Sequence, residues 1–375
     1  MLSRFGRLSS ALVGAMALLA GGIAALNASA SPVMLPPPPP PESYPLSTVA
    51  LSADGSRLAV ALPDREPSGR IAIWDASEGT HLETLDEHEE EVTALAFSPD
   101  GEHLLSASRD RTARLWDTAT FETTHVLNSH AASEQSLAFE PSVAFLPDGA
   151  HAVTGGAHLT ARLWDVETGN HLITFPMSSV GAGTHPVYWV SVALSPDGDY
   201  MLTADASGDI QLWDVHTAEE IQTFREGGMP GRRPKDTVTF LANGDLVAVQ
   251  ERDSSIRVWE RDTGTLVEER SNEGESPSPA GFSPDGTYVV TGLDGGKVRL
   301  TEVETGETVF ETEESGTGNV RGVSFSADPD RIAVGTREGV VHLWDTATGD
   351  RINVFDHHRF REAAEIDEHP RFDER

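Results

Sequence analysis

The feature that most constrains the fold of this sequence is a repeated unit, and its clearest copy is residues 88–117. Three short runs in this copy, TALAF, LLSAS and ARLW, alternate apolar and polar residues with the period of two that indicates β-strands. Residues 98–101 (Ser-Pro-Asp-Gly) form a turn signal, because proline presets φ, aspartate bonds to its own backbone and glycine accepts a positive φ. The unit is therefore predicted to consist of short strands joined by tight turns.

Copies of this unit fill most of the chain. The turn after the first strand recurs, with variations, from Ser52, Ser98, Leu146, Ser195, Leu241, Ser283 and, in a degenerate form, Ser326. The third strand ends at Trp74, Trp116, Trp164, Trp213, Trp259, Thr301 and Trp344, and successive copies of this position are 42, 48, 49, 46, 42 and 43 residues apart. A fourth run follows each copy, as at residues 171–175 or 351–355, so seven units of four strands are predicted.

Seven correlated units whose third strands end on Trp-Asp or a variant of it resemble the WD40 repeats. The resemblance covers about residues 45–357 and implies an all-β fold, a seven-bladed β-propeller whose blades are four-stranded antiparallel sheets. One sheet of this size cannot bury both of its faces alone, whereas blades packed around a common axis cover each other.

Closure of the ring is the point at which this chain departs from many WD40 proteins. In those proteins an N-terminal strand completes the last blade. Here each unit carries its own fourth strand, and the residues before Leu46 are rich in proline, which cannot donate to a strand ladder. The seventh blade is therefore predicted to be built from the C-terminal residues alone.

Three further segments flank the predicted propeller. Residues 1–30 have a positive start, an apolar run and an Ala-Ser-Ala cleavage site, which is the pattern of a secretory signal peptide, with an uncleaved membrane anchor as the alternative. Residues 31–44 form a proline-rich linker with six consecutive prolines. Residues 358–375 form a charged C-terminal tail whose histidines we do not interpret as a metal site.

The composition limits the partners and the chemistry. The chain carries 27 Lys and Arg against 60 Asp and Glu, a formal net charge of −33, so the sequence predicts an acidic protein whose surface repels nucleic acid. It contains no cysteine, which excludes disulfides and thiolate chemistry. No metalloprotease, nucleophile-elbow, phosphate-loop or dinucleotide motif appears in a suitable context.

The WD40 resemblance also implies a hydrogen-bonded relay inside each blade. In the second unit its members are His88, Ser106, Asp110 and Trp116. A hydrolytic Ser-His-Asp set has similar members. In the relay, however, the Trp116 indole N–H donates to the Ser106 hydroxyl oxygen, which a nucleophile would need free, so we interpret the four residues as structural. The other units depart from the relay at one or more positions, through residues such as His158, Ser207, Val249 and Thr301.

In this family, function lies mainly on the rim of the central opening, which we call the top rim. Two positions entering each first strand and the turn between the second and third strands point to it. The residues predicted to contact a partner are Glu91, Thr93, Arg109, Phe139, Tyr188, Asp236, Asn319, Arg321 and Arg337. Two longer loops, residues 130–141 and 225–235, flank these positions. The second carries three arginines and is either a clamp for an acidic partner or a flexible solvated connection.

We interpret the chain as an exported, bacterial-type member of the family that is not an enzyme. The predicted function is a scaffold that binds a protein or peptide through the top rim, with no cofactor and no metal. The alternatives are a propeller enzyme with a site in the central channel and a polysaccharide-binding module of the cell envelope. We expect a monomer in the periplasm or outside the cell, with membrane contact only through an uncleaved signal.

Overall fold

The computed structural model describes residues 48–62, 69–128, 142–156, 160–176, 190–205, 209–225, 237–241, 244–250, 255–270, 278–293, 297–312, 320–336 and 339–356. The chain divides into two units, Met1–Glu42 and Ser43–Arg375, and all of the described strands belong to the second. Within the ranges above there is no α-helix, and none therefore has the length and apolar character needed to cross a bilayer.

The described part of the chain forms 28 strands. In chain order they are β1 Val49–Leu51, β2 Arg57–Ala61, β3 Ile71–Asp75, β4 His81–Leu85, β5 Val92–Phe97, β6 His103–Ser108, β7 Ala113–Asp117, β8 Thr123–Leu127, β9 Ser142–Phe145, β10 His151–Gly156, β11 Thr160–Asp165, β12 His171–Pro176, β13 Val190–Leu194, β14 Tyr200–Asp205, β15 Asp209–Asp214, β16 Glu220–Arg225, β17 Thr237–Leu241, β18 Leu246–Gln250, β19 Ile256–Glu260, β20 Leu266–Arg270, β21 Ser278–Phe282, β22 Tyr288–Gly292, β23 Val298–Glu302, β24 Thr308–Glu311, β25 Val320–Phe325, β26 Arg331–Thr336, β27 Val340–Asp345 and β28 Arg351–Asp356.

These strands form seven antiparallel sheets of four strands, and each sheet uses four consecutive strands in order. Blade one is β1–β4, blade two is β5–β8, and the series continues to blade seven, β25–β28. The first strand of every blade contacts the first strand of the next, and β25 contacts β1, so the seven blades close a ring. The predicted seven-bladed propeller is confirmed, and all four described strands of the seventh blade come from the C-terminal part of the chain, as predicted.

The apolar core lies between neighbouring blades, because each sheet buries its faces against the sheets beside it. Trp116 of blade two packs with Ile71 and Ile73 of blade one, and the tryptophans at the same position of five other blades pack on the preceding blade in the same way. Blade six has Thr301 at this position, and its interface with blade five is a smaller apolar cluster without a tryptophan. The interfaces around the ring are therefore unequal.

Lateral contacts close the ring between blades seven and one, in place of a shared strand. The Trp74 and Phe355 rings meet edge to face with their centroids 5.7 Å apart. The backbone N–H of Leu51 donates to Ser324 Oγ over 2.9 Å, and Ala327 N donates to the carbonyl oxygen of Ala53 over 2.9 Å. Arg331 reaches across the same junction, where its Nη1 donates to the carbonyl oxygen of Gly55 at 2.9 Å and to Ser77 Oγ at 3.2 Å.

We expect Arg331→Ala to destabilise the propeller by about 1–2 kcal/mol, because it removes charge-assisted hydrogen bonds across the closing junction. Denaturant unfolding followed by tryptophan fluorescence measures the loss. Arg351→Ala is the matched control, since Arg351 is exposed on β28 and forms no ion pair with a described residue. Equal stability of the two variants would show that Arg331 does not stabilise the closure.

Candidate functional site

The top rim is the end of each blade where the first strand begins and the second strand turns into the third. In blade two it comprises residues 86–93 and 108–112, all of which are described. In blade seven the described part is residues 320–321, 336 and 339–340. These stretches carry four of the residues predicted to contact a partner, which are Glu91, Thr93, Arg109 and Arg321.

A buried relay supports the top rim of blade two. Asp110 Oδ2 lies 2.7 Å from His88 Nδ1, and His88 Nε2 lies 2.8 Å from Ser106 Oγ. The Trp116 indole N–H donates to the same Ser106 oxygen over 2.8 Å. Ser106 is fully buried and His88 is 3% exposed, so the relay joins the rim to the core between β6 and β7. All of the hydrogen bonds implied by the resemblance are present in this blade.

One bond of the relay is present among the described residues of blades three and four. Trp164 donates to Thr154 Oγ1 and Trp213 donates to Thr203 Oγ1, each over 2.9 Å. In blade five the hydroxyl position is Val249, which cannot accept this bond. The positions of His158 and Ser207, which we also compared with the relay, lie outside the described residues.

The geometry of the relay favours bracing over hydrolysis. A serine nucleophile needs an accessible oxygen whose proton passes to the histidine as the oxygen attacks. Ser106 Oγ instead accepts the indole N–H, lies between packed strands and has no exposed surface. In this arrangement the Ser106 oxygen is bonded inside the blade and presents no surface to a substrate.

The same environment shifts the acidity of Asp110. Burial alone would raise the pKa of this carboxyl, but bonds from His88, from the Thr112 hydroxyl and from the Thr112 backbone together outweigh burial and lower the pKa to about 2. The ionised form is thus strongly preferred in the folded state, in which the Asp110 side chain is 8% exposed.

Since the pKa of Asp110 falls on folding, its ionisation stabilises the protein at pH values above about 4, and this contribution is lost as the pH falls towards 2. We expect Asp110→Asn to destabilise the protein at pH 6, and the difference from the wild type to narrow by about 1 kcal/mol at pH 3. Urea unfolding of both proteins across this range measures the effect. A penalty that stays constant between pH 6 and pH 3 would contradict this role.

Charged side chains project from the top rim of blade two on a fixed backbone. Arg109 Nη1 lies 3.2 Å from Glu91 Oε2, and both side chains are about two-fifths exposed, at 43% and 39%. The backbone N–H of Arg109 donates to the carbonyl oxygen of Glu91 over 2.9 Å, and Ser108 Oγ donates to the carbonyl oxygen of Glu90 over 2.8 Å. The loop that carries the acidic residues is therefore tied to the turn that carries Arg109.

Two of the predicted contact residues lie on β-bulges. In blade two Val92 pairs with Ser108 and Ala94 with Ala107, which leaves Thr93 as the additional residue. Arg321 is the additional residue in blade seven, between Val320 and Gly322, and both residues lie five positions before the serine of the following turn. A bulge changes the direction of a side chain at the end of a strand, so Thr93 and Arg321 depart from regular alternation at the top rim.

The other predicted contact residues lie outside the described ranges, and they are Phe139, Tyr188, Asp236, Asn319 and Arg337. The loop of residues 130–141 lies outside them too, as does the loop of residues 225–235 after Arg225.

Conversely, the structure adds Arg111, which sequence reasoning missed. This exposed residue has a φ of 72° between Asp110 and Thr112 at the tip of the turn, and the Asp-Arg-Thr sequence was the available signal.

The opposite end of the propeller holds a groove of about 500 Å³ between blades one and two. The carboxylate of Asp54 accepts bonds from Ser52 and Ser56, and that of Asp100 accepts a bond from Ser98. Arg57 donates to the carbonyl oxygen of Thr118. These groups stabilise turns and the blade junction, and the described residues contain no group of three or more acidic or histidine side chains arranged to hold a metal ion.

The fold and the braced rim define a seven-bladed β-propeller protein. A family model described as WD domain, G-beta repeat matches residues 79–117, 122–165, 180–214 and 307–345. The chain therefore contains WD40 repeats. Each match ends at the aspartate that follows the tryptophan in the third strand, in blades two, three, four and seven. The third strands of blades five and six end on Trp-Glu and Thr-Glu instead.

Curated relatives match the chain over parts of their length. Protein tipD of Dictyostelium discoideum is 24% identical over 82% of this chain and 40% of its own length. An uncharacterised WD repeat-containing protein of Synechocystis is 36% identical over 25% of this chain and 26% of its own length. The mouse WD repeat and SOCS box-containing protein 1 is 46% identical over 20% of this chain and 18% of its own length. The chain thus spans less than half the length of these relatives. WD40 propellers typically act as protein-interaction scaffolds.

Proposed function

We propose that this protein is a non-catalytic scaffold that binds a protein or peptide through the top rim of its propeller. The observation that carries the proposal is the construction of blade two. Its relay is buried and fixes the rim, while Glu91 and Arg109 above the relay are exposed and held in place by backbone hydrogen bonds. Exposed charges on a rigid support allow binding with little loss of conformational freedom.

The variation among repeats supports the same function. Blade two presents Thr93 on its bulge, whereas blade seven presents Arg321 at the matching position. Positions that only stabilised blades would keep one kind of side chain, as the tryptophan position does in six units. Different side chains at equivalent places on the rim give an asymmetric surface, which a specific partner requires.

Affinity capture with a rim variant tests this proposal. We expect wild-type protein to retain a defined set of proteins from a cell-envelope fraction, and the triple variant Glu91→Ala/Arg109→Ala/Arg321→Ala to lose it. The matched control is Arg257→Ala/Glu269→Ala, which removes an ion pair of 3.0 Å from the outer strands of blade five. Capture that survives in the triple variant, or that is lost equally in the control, would contradict binding at the top rim.

We also propose that the protein acts outside the cytoplasm, in the periplasm or beyond the cell. The support is the three-part pattern of residues 1–30, which lie outside the described residues. Expression of the full chain followed by N-terminal sequencing tests this, and the expected first residue of the mature protein is Ser31. An intact N-terminus in a membrane fraction would favour the uncleaved anchor, and an intact N-terminus in the cytoplasm would contradict export.

A further inference from the structure

Arg321 is an exposed arginine of the top rim whose charge has no acidic partner among the described residues. Arg109 pairs with Glu91, Arg257 with Glu269 and Arg299 with Glu311. The side chain of Arg321 is exposed at the start of β25 and forms no ion pair within the described ranges. In a chain with 60 acidic residues and only 27 Lys and Arg, acidic partners are in excess.

The backbone that carries Arg321 is held by blade one. A Cβ placed on Gly322 would lie 3.2 Å from Val49 N and 3.4 Å from Thr48 Cα, so the two strands approach closely at this glycine. Two residues further along β25, Ser324 Oγ accepts the N–H of Leu51 over 2.9 Å. Close packing beside the bulge limits the movement of the backbone, so the Arg321 side chain projects from a fixed point on the rim.

We propose that Arg321 recognises a carboxylate of the bound protein or peptide. This inference rests on the proposed function and names the chemistry that one part of the rim selects. A guanidinium offers a planar pair of N–H donors that matches a carboxylate, and such charge-assisted bonds are stronger than neutral ones. Polyanions fit this rim poorly because the net charge of −33 repels them at long range, whereas a peptide with one or two carboxylates meets little repulsion.

Selection from a random peptide library, with the full-length protein as bait, tests the inference. We expect peptides selected by the wild type to share an Asp, a Glu or a free C-terminal carboxylate at one position. Synthetic copies of a selected peptide should bind Arg321→Ala at least about tenfold more weakly than the wild type. Arg321→Lys should have an intermediate affinity, because lysine keeps the positive charge but lacks the planar pair of N–H donors. Arg351→Ala, which removes an exposed arginine from the outer strand β28, should bind as the wild type does.

Pairs of synthetic peptides distinguish the two sources of the carboxylate. Amidation of the C-terminus abolishes binding if the terminal carboxylate is recognised, and Glu→Gln or Asp→Asn substitution abolishes it if a side chain is. Thermal unfolding of each variant confirms that the fold is retained.

Two further results separate this inference from the proposed function. In the first result, the selected peptides share no carboxylate, or they bind Arg321→Ala as tightly as the wild type, yet they do not bind the triple rim variant. This result would overturn the inference and leave the rim as the binding surface. Failure of any peptide to bind the wild type, or binding unaffected by the triple variant, would overturn the inference and would count against the proposed function as well.

Discussion

Replacement of Trp116 by alanine is expected to destabilise the propeller by about 3–5 kcal/mol, the loss that follows removal of a large buried aromatic side chain. Trp116 is 2% exposed and packs with Ile71 and Ile73 of blade one and Leu104 of its own blade. The variant also removes the N–H that donates to Ser106 Oγ, so the relay of blade two loses one of its bonds. Guanidinium unfolding measures the change in free energy.

Two matched variants separate these effects. Thr301→Ala changes the equivalent position of blade six, where a half-buried threonine replaces tryptophan, and should cost far less. Trp116→Phe retains most of the ring but loses the N–H, so its cost should lie between those of the two alanine variants. Equal losses for Trp116→Ala and Thr301→Ala would show that the tryptophan position does not govern the strength of the blade interfaces.

Replacement of Gly69 by alanine is expected to be similarly severe, at about 3 kcal/mol or more, because two costs combine. Gly69 has a φ of +99°, which alanine adopts only with strain. An added Cβ would also overlap the carbonyl oxygen of His88 and lie 2.6 Å from that of Glu90. These are backbone atoms of the loop that carries the relay histidine, so the loop itself must move.

Gly101→Ala provides the control for strain alone. Gly101 has a φ of +75°, and an added Cβ there meets no atom within 4 Å, so we expect only the conformational cost of about 1–2 kcal/mol. Thermal and denaturant unfolding of both variants give the comparison. If Gly69→Ala cost no more than Gly101→Ala, the close approach of blade one to the His88 loop would not be a constraint on the fold.

The top rim shows the limit of inference from repeats. Counting back from the turns located Thr93 and Arg321 at equivalent places, because sequence spacing is retained between repeats. The bulges at both residues were not predictable, since a bulge depends on how the first strand pairs with the second. The Glu91–Arg109 ion pair likewise joins two segments whose approach depends on the folded blade.

The relay shows the opposite case. His88, Ser106, Asp110 and Trp116 are separated along the chain, yet their spacing and chemical types were enough to predict their hydrogen bonds through the family resemblance. Each bond depends on strands of one hairpin and the loop that enters it, so the distances are set locally within blade two. Contacts within one repeat are predictable in this way because the repeat supplies both partners.

The sequence by itself determined the number of blades, the four strands of each blade and the origin of the last strand. These properties follow from turn residues and alternation, which act over a few neighbouring residues. Only the tertiary structure decided how the ring closes, through Trp74, Phe355 and Arg331, and that Arg109 on the rim pairs with Glu91. The physical reason is that closure and charge pairing join residues far apart in the chain, so packing between blades sets their distances.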